Sequence, residues 1–198
     1  ALKTGSVSGW FKNGDDGLSG LVGASGVTLS ADGTLVFVVS AGSQTLLVFT
    51  RDVGTGNLSK PTLSSLNGLD AFDTLAANAS GTRLYTAGGT YVFAYASGTW
   101  LDYNRTNFDF VNQVSSLGVS HDDALVFAAS ASQDALWVLD SQLGHLQTIA
   151  AADVGLQGPS AIAVSGDDRF VYVSAAGSNS LAVFARNGNT LTHVQTLS

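Results

Sequence analysis

Aspartate is the residue type in this chain with the greatest capacity for metal chemistry. All fifteen acidic residues are Asp. Six of them fall in the longer stretches between alternating apolar segments, where one rim of the folded chain would carry them. These are Asp15, Asp16, Asp70, Asp73, Asp109 and Asp153. Clustered carboxylates are hard oxygen ligands that suit Ca²⁺, whereas isolated ones act as solvated turn caps. The six are therefore candidate calcium ligands at a rim, with turn capping as the alternative.

Nucleophilic and acid–base chemistry has less support in the residue pattern. The histidines are His121, His145 and His193, and they occupy three different positions of the repeated pattern described below. A shared zinc or catalytic site would require them to converge, which those positions do not favour. The chain has no Cys, which excludes thiol catalysis and disulfides, and no Gly-x-Ser-x-Gly elbow is present. We assign no catalytic residue and no cofactor-binding residue from the sequence.

Two tryptophans are candidates for contact with a ligand or partner. Trp10 and Trp100 fall on segments that we predict to be outer strands. An exposed indole can stack on a sugar or dock a protein, and a covered indole packs in the core. Both interpretations are open at this point.

A repeated sequence pattern predicts the strands and turns that would position these residues. An alternating apolar stretch ends in a polar turn, and a run of β-branched and aromatic residues follows. The four copies cover residues 27–39, 75–85, 117–127 and 162–173. Their last turn residues, Gly33, Gly81, Asp123 and Asp168, are 48, 42 and 45 positions apart. A period in the forties built from strands is typical of β-propeller blades.

Each repeat is interpreted as four antiparallel strands, which predicts an all-β propeller. The expected blades cover residues 24–64, 69–103, 114–150 and 159–198, and residues 1–23 form an extra outer strand and loop. The composition agrees with an all-β fold. The chain has 23 Gly, which disfavours helices, and it contains no Glu or Met, which favour them. The four repeats form either a closed four-bladed ring or half of a larger ring.

Charge and hydropathy restrict the classes of partner. The net charge of −7 repels a phosphate backbone, so we expect no nucleic-acid binding. The longest apolar runs have the length of strands, which predicts no membrane-spanning helix. The sequence starts at Ala1 and contains no Met, so we expect a processed piece of a longer precursor. The acidic composition, rich in Gly, Ser and Thr, favours a secreted or cell-surface protein.

Three stretches resemble a known repeat family. Residues 164–174 place a Ser-Gly-Asp-Asp turn before a Val-Tyr-Val strand, and residues 46–52 and 181–186 repeat an apolar strand that ends in Arg. They resemble the lactonase-like seven-bladed propellers, which include the YVTN-type surface-protein repeats. The resemblance implies a propeller fold and, for function, either hydrolysis of a sugar lactone or a non-catalytic surface role. It carries no catalytic position over to this chain.

The preferred functional interpretation is a non-catalytic interaction or structural module. The alternatives are a lactonase-type hydrolase acting on a sugar lactone and a carbohydrate-binding module. Strand residues 35–39 are apolar on both faces, so an open arc of blades would leave apolar surface in water. We therefore expect either ring closure or self-association, in which two half-rings related by a two-fold axis complete an eight-bladed ring.

Overall fold

The fold is almost entirely antiparallel β-sheet. A computed structural model describes residues 13–14, 18–30, 32–59, 61–65, 74–79, 81–88, 91–96, 99–101 and 114–198. The first sheet contains β1 (Ala24–Leu29), β2 (Leu35–Ser40), β3 (Thr45–Thr50) and β4 (Thr62–Ser65). The second contains β5 (Thr74–Ala77), β6 (Arg83–Gly88), β7 (Tyr91–Ala96) and β8 (Thr99–Leu101). The third contains β9 (Val114–Val119), β10 (Leu125–Ser130), β11 (Ala135–Asp140) and β12 (His145–Ala150). After a short helix, α1 (Ala151–Val154), the fourth contains β13 (Pro159–Val164), β14 (Phe170–Ala175), β15 (Ser180–Asn187) and β16 (Thr190–Leu197).

The sheets follow one another as the blades of a propeller do. Within each sheet the strands pair in chain order. Between sheets, β1 contacts β5, β5 contacts β9 and β9 contacts β13, so the first strand of every sheet lies on the inside. The described part of the chain thus forms an open, propeller-like series. The predicted all-β class is confirmed, while closure into a four-bladed or larger ring stays a prediction.

A turn closed by a Ser and an Asp side chain joins the first two strands of the first, third and fourth sheets, and Asn78 takes the place of the Ser in the second. In the first sheet, Ser30 Oγ donates to Asp32 Oδ1 at 2.6 Å and accepts from the Leu35 N–H at 2.9 Å. The same contacts recur in the third sheet through Ser120 and Asp122 and in the fourth through Ser165 and Asp167. Side-chain hydrogen bonds of this kind close a turn locally, which explains why the same sequence pattern recurs.

The last residue of this turn has left-handed backbone geometry in all four sheets. The φ angles are 67° at Gly33, 68° at Gly81, 60° at Asp123 and 58° at Asp168. Glycine and, less readily, aspartate accept this region. The alignment of the four repeats on this residue is therefore structurally consistent.

The core lies between the sheets. Every residue of β10 is buried, and five of the six in β11 are buried. Phe127 and Leu136 pack toward the fourth sheet, while Val126 and Trp137 pack toward the second. Strands covered on both sides must be apolar on both faces, as their sequences are.

The two ends of the series have apolar outer faces that are partly open to water. On the first sheet, Val27 is 67% exposed and Leu29 is 49% exposed, whereas Leu47 is covered by Leu18. On the fourth sheet, exposed apolar side chains lie on strands β14 to β16. They are Tyr172, Leu181, Val194 and Leu197.

The remaining sequence predictions concern a strand near the N-terminus, the content of helix and membrane-spanning helices. The extra outer strand expected near the N-terminus, around residues 8–12, lies outside the described residues. The sequence pattern does not predict the short helix α1, which the structure contains. No helix among the described residues is long and apolar enough to cross a membrane, as predicted.

Candidate functional site

Four charged or titratable side chains meet where the third and fourth sheets adjoin. His121 and Asp122 lie in the turn between β9 and β10, and Asp168 lies in the equivalent turn between β13 and β14. Arg186 comes from the end of β15. We call these four residues the turn cluster. Three strand ends of two sheets are needed to assemble it.

Asp168 is the centre of the turn cluster. Its Oδ1 accepts the backbone N–H of His121 at 2.8 Å, and its Oδ2 accepts the backbone N–H of Asp122 at 2.8 Å. Oδ1 also lies 3.0 Å from His121 Nδ1. One carboxylate of the fourth sheet therefore holds both the backbone and the imidazole of a turn in the third sheet. The second and third sheets share a smaller version, in which Asp123 Oδ1 accepts the Ala79 N–H at 2.8 Å.

Arg186 supplies the positive charge of the turn cluster. Its side chain is 10% exposed; Nη2 lies 2.7 Å from Asp122 Oδ2, and Nη1 lies 3.7 Å from Asp168 Oδ2. Its Nε donates to the Gly188 carbonyl at 2.9 Å, which fixes the guanidinium. The hydrogen bond from Arg186 is the main cause that lowers the pKa of Asp122 to about 2, and the Ser120 hydroxyl adds to it.

The turn cluster can perform acid–base chemistry. A carboxylate beside Nδ1 selects the tautomer in which that nitrogen carries the proton. The neutral imidazole then has its lone pair on Nε2, and the His121 side chain is 51% exposed. His145 and His193 differ, because their Nε2 atoms lie 2.8 Å from the hydroxyls of Thr148 and Thr196. The three histidines occupy different places, as the sequence predicts.

Sequence reasoning misses the turn cluster. The repeats align Asp123 with Asp168, but a structural role in the turn is enough to explain an aspartate at both positions. The available signal is that aspartate replaces glycine at a left-handed position in two of the four repeats. Such a residue is conformationally less suited than glycine, so its side chain is expected to make a compensating contact.

The predicted calcium ligands are mostly untested by the structure. Asp153 is exposed and lies in α1. The other five lie outside the described residues: Asp15, Asp16, Asp70, Asp73 and Asp109. No group of three or more His, Cys, Asp or Glu side chains able to hold a metal ion occurs among the residues the structure describes. Of the two tryptophans, Trp100 lies in β8 and Trp10 is outside the described residues.

The edge opposite the turn cluster is held by hydrogen bonds from backbone N–H groups to side-chain oxygens. In the first sheet the Val22 N–H donates to Ser43 Oγ at 2.9 Å, and in the fourth the Gln157 N–H donates to Ser178 Oγ at 3.1 Å. Asp134 Oδ1 accepts the Gly158 N–H at 2.6 Å across the junction of the third and fourth sheets. These contacts fix the loops that lead into the inner strands.

The C-terminal part of this propeller-like fold is similar to a known family of propellers. Residues 140–198 match the family model described as lactonase, 7-bladed beta-propeller. The resemblance stated from the sequence is thereby confirmed. A search of curated proteins gives no match.

Two solved structures illustrate the fold similarity. A putative 6-phosphogluconolactonase from Bacteroides uniformis has a TM-score of 0.73 at 14% identity, covering 94% of this chain and 58% of that chain. Hydrazine synthase from Kuenenia stuttgartiensis has a TM-score of 0.66 at 17% identity, covering 96% of this chain and 53% of that one. The chain therefore spans somewhat more than half the length of these structures.

Proposed function

We propose that this chain is part of a lactone-opening hydrolase. The observation that carries the proposal is the match of residues 140–198 to the lactonase propeller model. The similarity to a structure titled putative 6-phosphogluconolactonase adds support, and it suggests a sugar lactone as the substrate class. This is the alternative interpretation of the sequence, which the comparisons support better than a purely non-catalytic role.

The turn cluster provides the chemistry that lactone opening requires. In the proposed reaction, His121 Nε2 accepts a proton from water as the water oxygen bonds to the lactone carbonyl carbon. The ring C–O bond then breaks, and the alkoxide leaving group takes the proton from the imidazolium, so the product is a hydroxy acid. Asp168, whose Oδ1 lies 3.0 Å from Nδ1, holds the imidazole in the required tautomer and orientation. Water and lactone are the reactants, and no further group is consumed.

A lactone panel tests this proposal. Glucono-δ-lactone, its 6-phosphate and an aliphatic δ-lactone are supplied, and acid release is followed above the spontaneous rate. We expect His121→Gln to lower kcat/KM by about 100-fold or more, since a positioned base contributes that much. His193→Gln is the matched control and should retain the rate, because its imidazole contacts a threonine.

The outcomes separate the mechanism from the function. Hydrolysis that survives His121→Gln would show a lactonase whose base lies elsewhere. An absence of hydrolysis with every lactone would contradict the proposed function. Parallel assays with Ca²⁺ and with a chelator test the proposed calcium ligands at the rim, including Asp153.

A second candidate function, self-association as an interaction module, is favoured by the exposed apolar end faces. A monomeric protein seldom leaves large contiguous apolar patches in water. Val27 on the first sheet and Leu197 on the fourth are each more than half exposed. Molecular mass in solution, measured by light scattering across a concentration series, tests this candidate. A mass that stays at the 20.2 kDa of one chain would contradict it.

A further inference from the structure

Arg186 joins the two carboxylates of the turn cluster. Its Nη2 lies 2.7 Å from Asp122 Oδ2, and its Nη1 lies 3.7 Å from Asp168 Oδ2. Asp168 Oδ2 also accepts the backbone N–H of Asp122 at 2.8 Å. This oxygen of Asp168 is thus occupied by Arg186 and by the backbone of Asp122. The other oxygen, Oδ1, is left for His121.

The orientation of the Asp168 carboxylate determines the state of the His121 imidazole. Oδ1 accepts the His121 backbone N–H at 2.8 Å and lies 3.0 Å from Nδ1. An ionised carboxylate only accepts hydrogen bonds, so Nδ1 must carry the proton while this contact exists. The terminal torsion of an aspartate side chain is broad, so the carboxylate turns easily unless its second oxygen is held. The contacts of Oδ2 with Arg186 and with the backbone of Asp122 restrict that rotation.

Arg186 also holds the turn that carries His121. Asp122 follows His121 directly, and its carboxylate contacts Arg186 Nη2 and accepts the Ser120 hydroxyl at 2.6 Å. The hydrogen bond from Arg186 is the main cause that lowers the pKa of Asp122 to about 2, so this carboxylate stays ionised at neutral pH. The guanidinium therefore acts on the sequence neighbour of His121 as well as on its partner in the fourth sheet.

The guanidinium is itself held in place. Arg186 Nε donates to the Gly188 carbonyl at 2.9 Å, and the side chain is 10% exposed. Gly188 belongs to the two-residue loop between β15 and β16 and has a φ of 60°. An arginine side chain keeps its charge at every pH at which the protein is folded, and a covered ion pair is less screened by salt. Arg186 thus provides a fixed positive charge behind the carboxylates, and little of it is left for contact with a substrate.

The junction of the second and third sheets separates the joining of sheets from the placing of a histidine. There Asp123 Oδ1 accepts the Ala79 N–H at 2.8 Å, and Ala79 stands in its turn where His121 stands. By the register of the strands, Ser141 stands where Arg186 stands. An aspartate therefore connects these two sheets without an arginine at that position. Of the two junctions, the arginine accompanies the one that has an imidazole.

We propose that Arg186 is a positioning residue of the turn cluster: by holding the carboxylates of Asp122 and Asp168, it keeps the His121 imidazole with its proton on Nδ1 and its lone pair on Nε2. The inference deepens the proposed function, and its kinetic readout rests on that function. The state of the imidazole is measured without a substrate, so the two proposals can fail separately.

The direct test is the tautomer of His121 in the full 198-residue chain. Nuclear magnetic resonance of nitrogen-labelled histidine distinguishes a protonated ring nitrogen from an unprotonated one, at a pH where the imidazole is neutral. We expect the native protein to carry the proton on Nδ1. Arg186→Gln keeps a polar side chain but removes the charge. In that variant the Nε2–H form of His121 should become the larger share.

His193 is an internal reference, because its tautomer is the opposite one. Its Nε2 lies 2.8 Å from Thr196 Oγ1, and that hydroxyl donates its proton to the Val154 carbonyl at 2.6 Å. The hydroxyl can then only accept from His193, whose proton is therefore on Nε2. The His193 signal should be the same in the native protein and in Arg186→Gln.

Arg51→Gln is the matched control variant. Arg51 occupies the position of Arg186 in the first sheet, but its Nη1 binds the Gly33 carbonyl of its own turn at 3.1 Å. In the lactone assay, Arg186→Gln should lower kcat about 10-fold or more and change KM less than about twofold, because the guanidinium acts on the base and not on the substrate. Arg51→Gln should leave the His121 tautomer and both constants unchanged.

The outcomes for the two proposals are distinct. A folded Arg186→Gln variant in which His121 keeps the native tautomer would overturn the positioning role. If that variant does not fold, Arg186→Lys takes its place, since lysine keeps the charge but lacks the fork that reaches both carboxylates. It should show a mixture of the two tautomers, and an unchanged Nδ1–H form would overturn the role equally. A change of tautomer without hydrolysis of any lactone would support the role and contradict the proposed function.

Discussion

The junction of the third and fourth sheets differs from that of the first and second, although the sequence repeats are alike. Phe37 and Phe127 hold the same position in their strands, and both are buried. Leu35 and Val48, which lie beside Phe37 on the same face, are only partly buried, whereas their equivalents beside Phe127, Leu125 and Val138, are fully buried. Equivalent positions in the repeats are therefore expected to contribute differently to the free energy of unfolding.

The turns show the same contrast. Gly33 and Gly81 complete the turns of the first two sheets, and Asp123 and Asp168 complete those of the last two, with φ between 58° and 68° in all four. Glycine reaches this conformation without strain and adds no contact. Aspartate is less suited to it, but its carboxylate reaches the neighbouring sheet. A single side chain thus converts a local turn into a contact between sheets.

The largest expected effect distinguishes the two cores. Phe127→Ala should lower the free energy of unfolding by about 3–5 kcal/mol, since it leaves a cavity in a rigid core. Phe37→Ala should fall at the lower end of that range, because Leu35 and Val48 beside it are partly exposed and can relax into the space. Urea unfolding of both variants measures the difference. Equal losses would contradict the comparison of the two junctions.

A second prediction concerns the turn cluster. Asp168→Ala removes the partner of two backbone N–H groups and should cost about 2–4 kcal/mol. Asp168→Gly gives the fourth turn the residue type of Gly33. It should cost about 1 kcal/mol less than the alanine variant, because glycine relieves the left-handed strain. Urea unfolding compares the two variants. If the glycine variant is no more stable than the alanine variant, backbone strain at this position is negligible.

The smallest expected effect concerns Asp122, whose carboxylate is about half exposed. Its pKa is about 2, below the ordinary value of 3.8, so its ionised form is favoured by folding. That contribution is present above about pH 4 and is lost as the pH falls toward 2. Asp122→Asn should cost about 0.2–1 kcal/mol at neutral pH in low salt, and the difference from wild type should shrink in acid and in 1 M salt.

The control for this last prediction is Asp32→Asn. Asp32 caps the equivalent turn through Ser30, and its pKa is also lowered, chiefly by that hydroxyl. The contribution of Arg186 is the difference between the two variants. Matching pH profiles would show that turn capping, and not Arg186, determines the effect at Asp122.

The strands and turns could be predicted from the sequence because their signals are local. A Ser, an Asp two residues later and an apolar run afterwards specify a turn whose bonds close within six residues, as Ser165 and Phe170 show. The all-β class followed from the repetition of this unit. The helix α1 interrupts the pattern too briefly to leave a periodic signal.

The turn cluster could not be predicted in the same way. His121 and Asp168 come from neighbouring sheets, and their contact depends on how far one sheet is displaced against the next. Arg186 reaches the cluster from a third strand end. Each residue type was visible in the sequence, but the relative placement of the sheets is a property of their packing.

The Ser-Asp turns also bear on how the chain folds. Each one links residues at most five positions apart, as between Ser30 and Leu35, so a hairpin can form early at little loss of chain entropy. Because several such hairpins exist, folding can begin at more than one of them, and the joining of sheets then follows as a slower step. A substitution in one turn would remove one starting point and leave the others available.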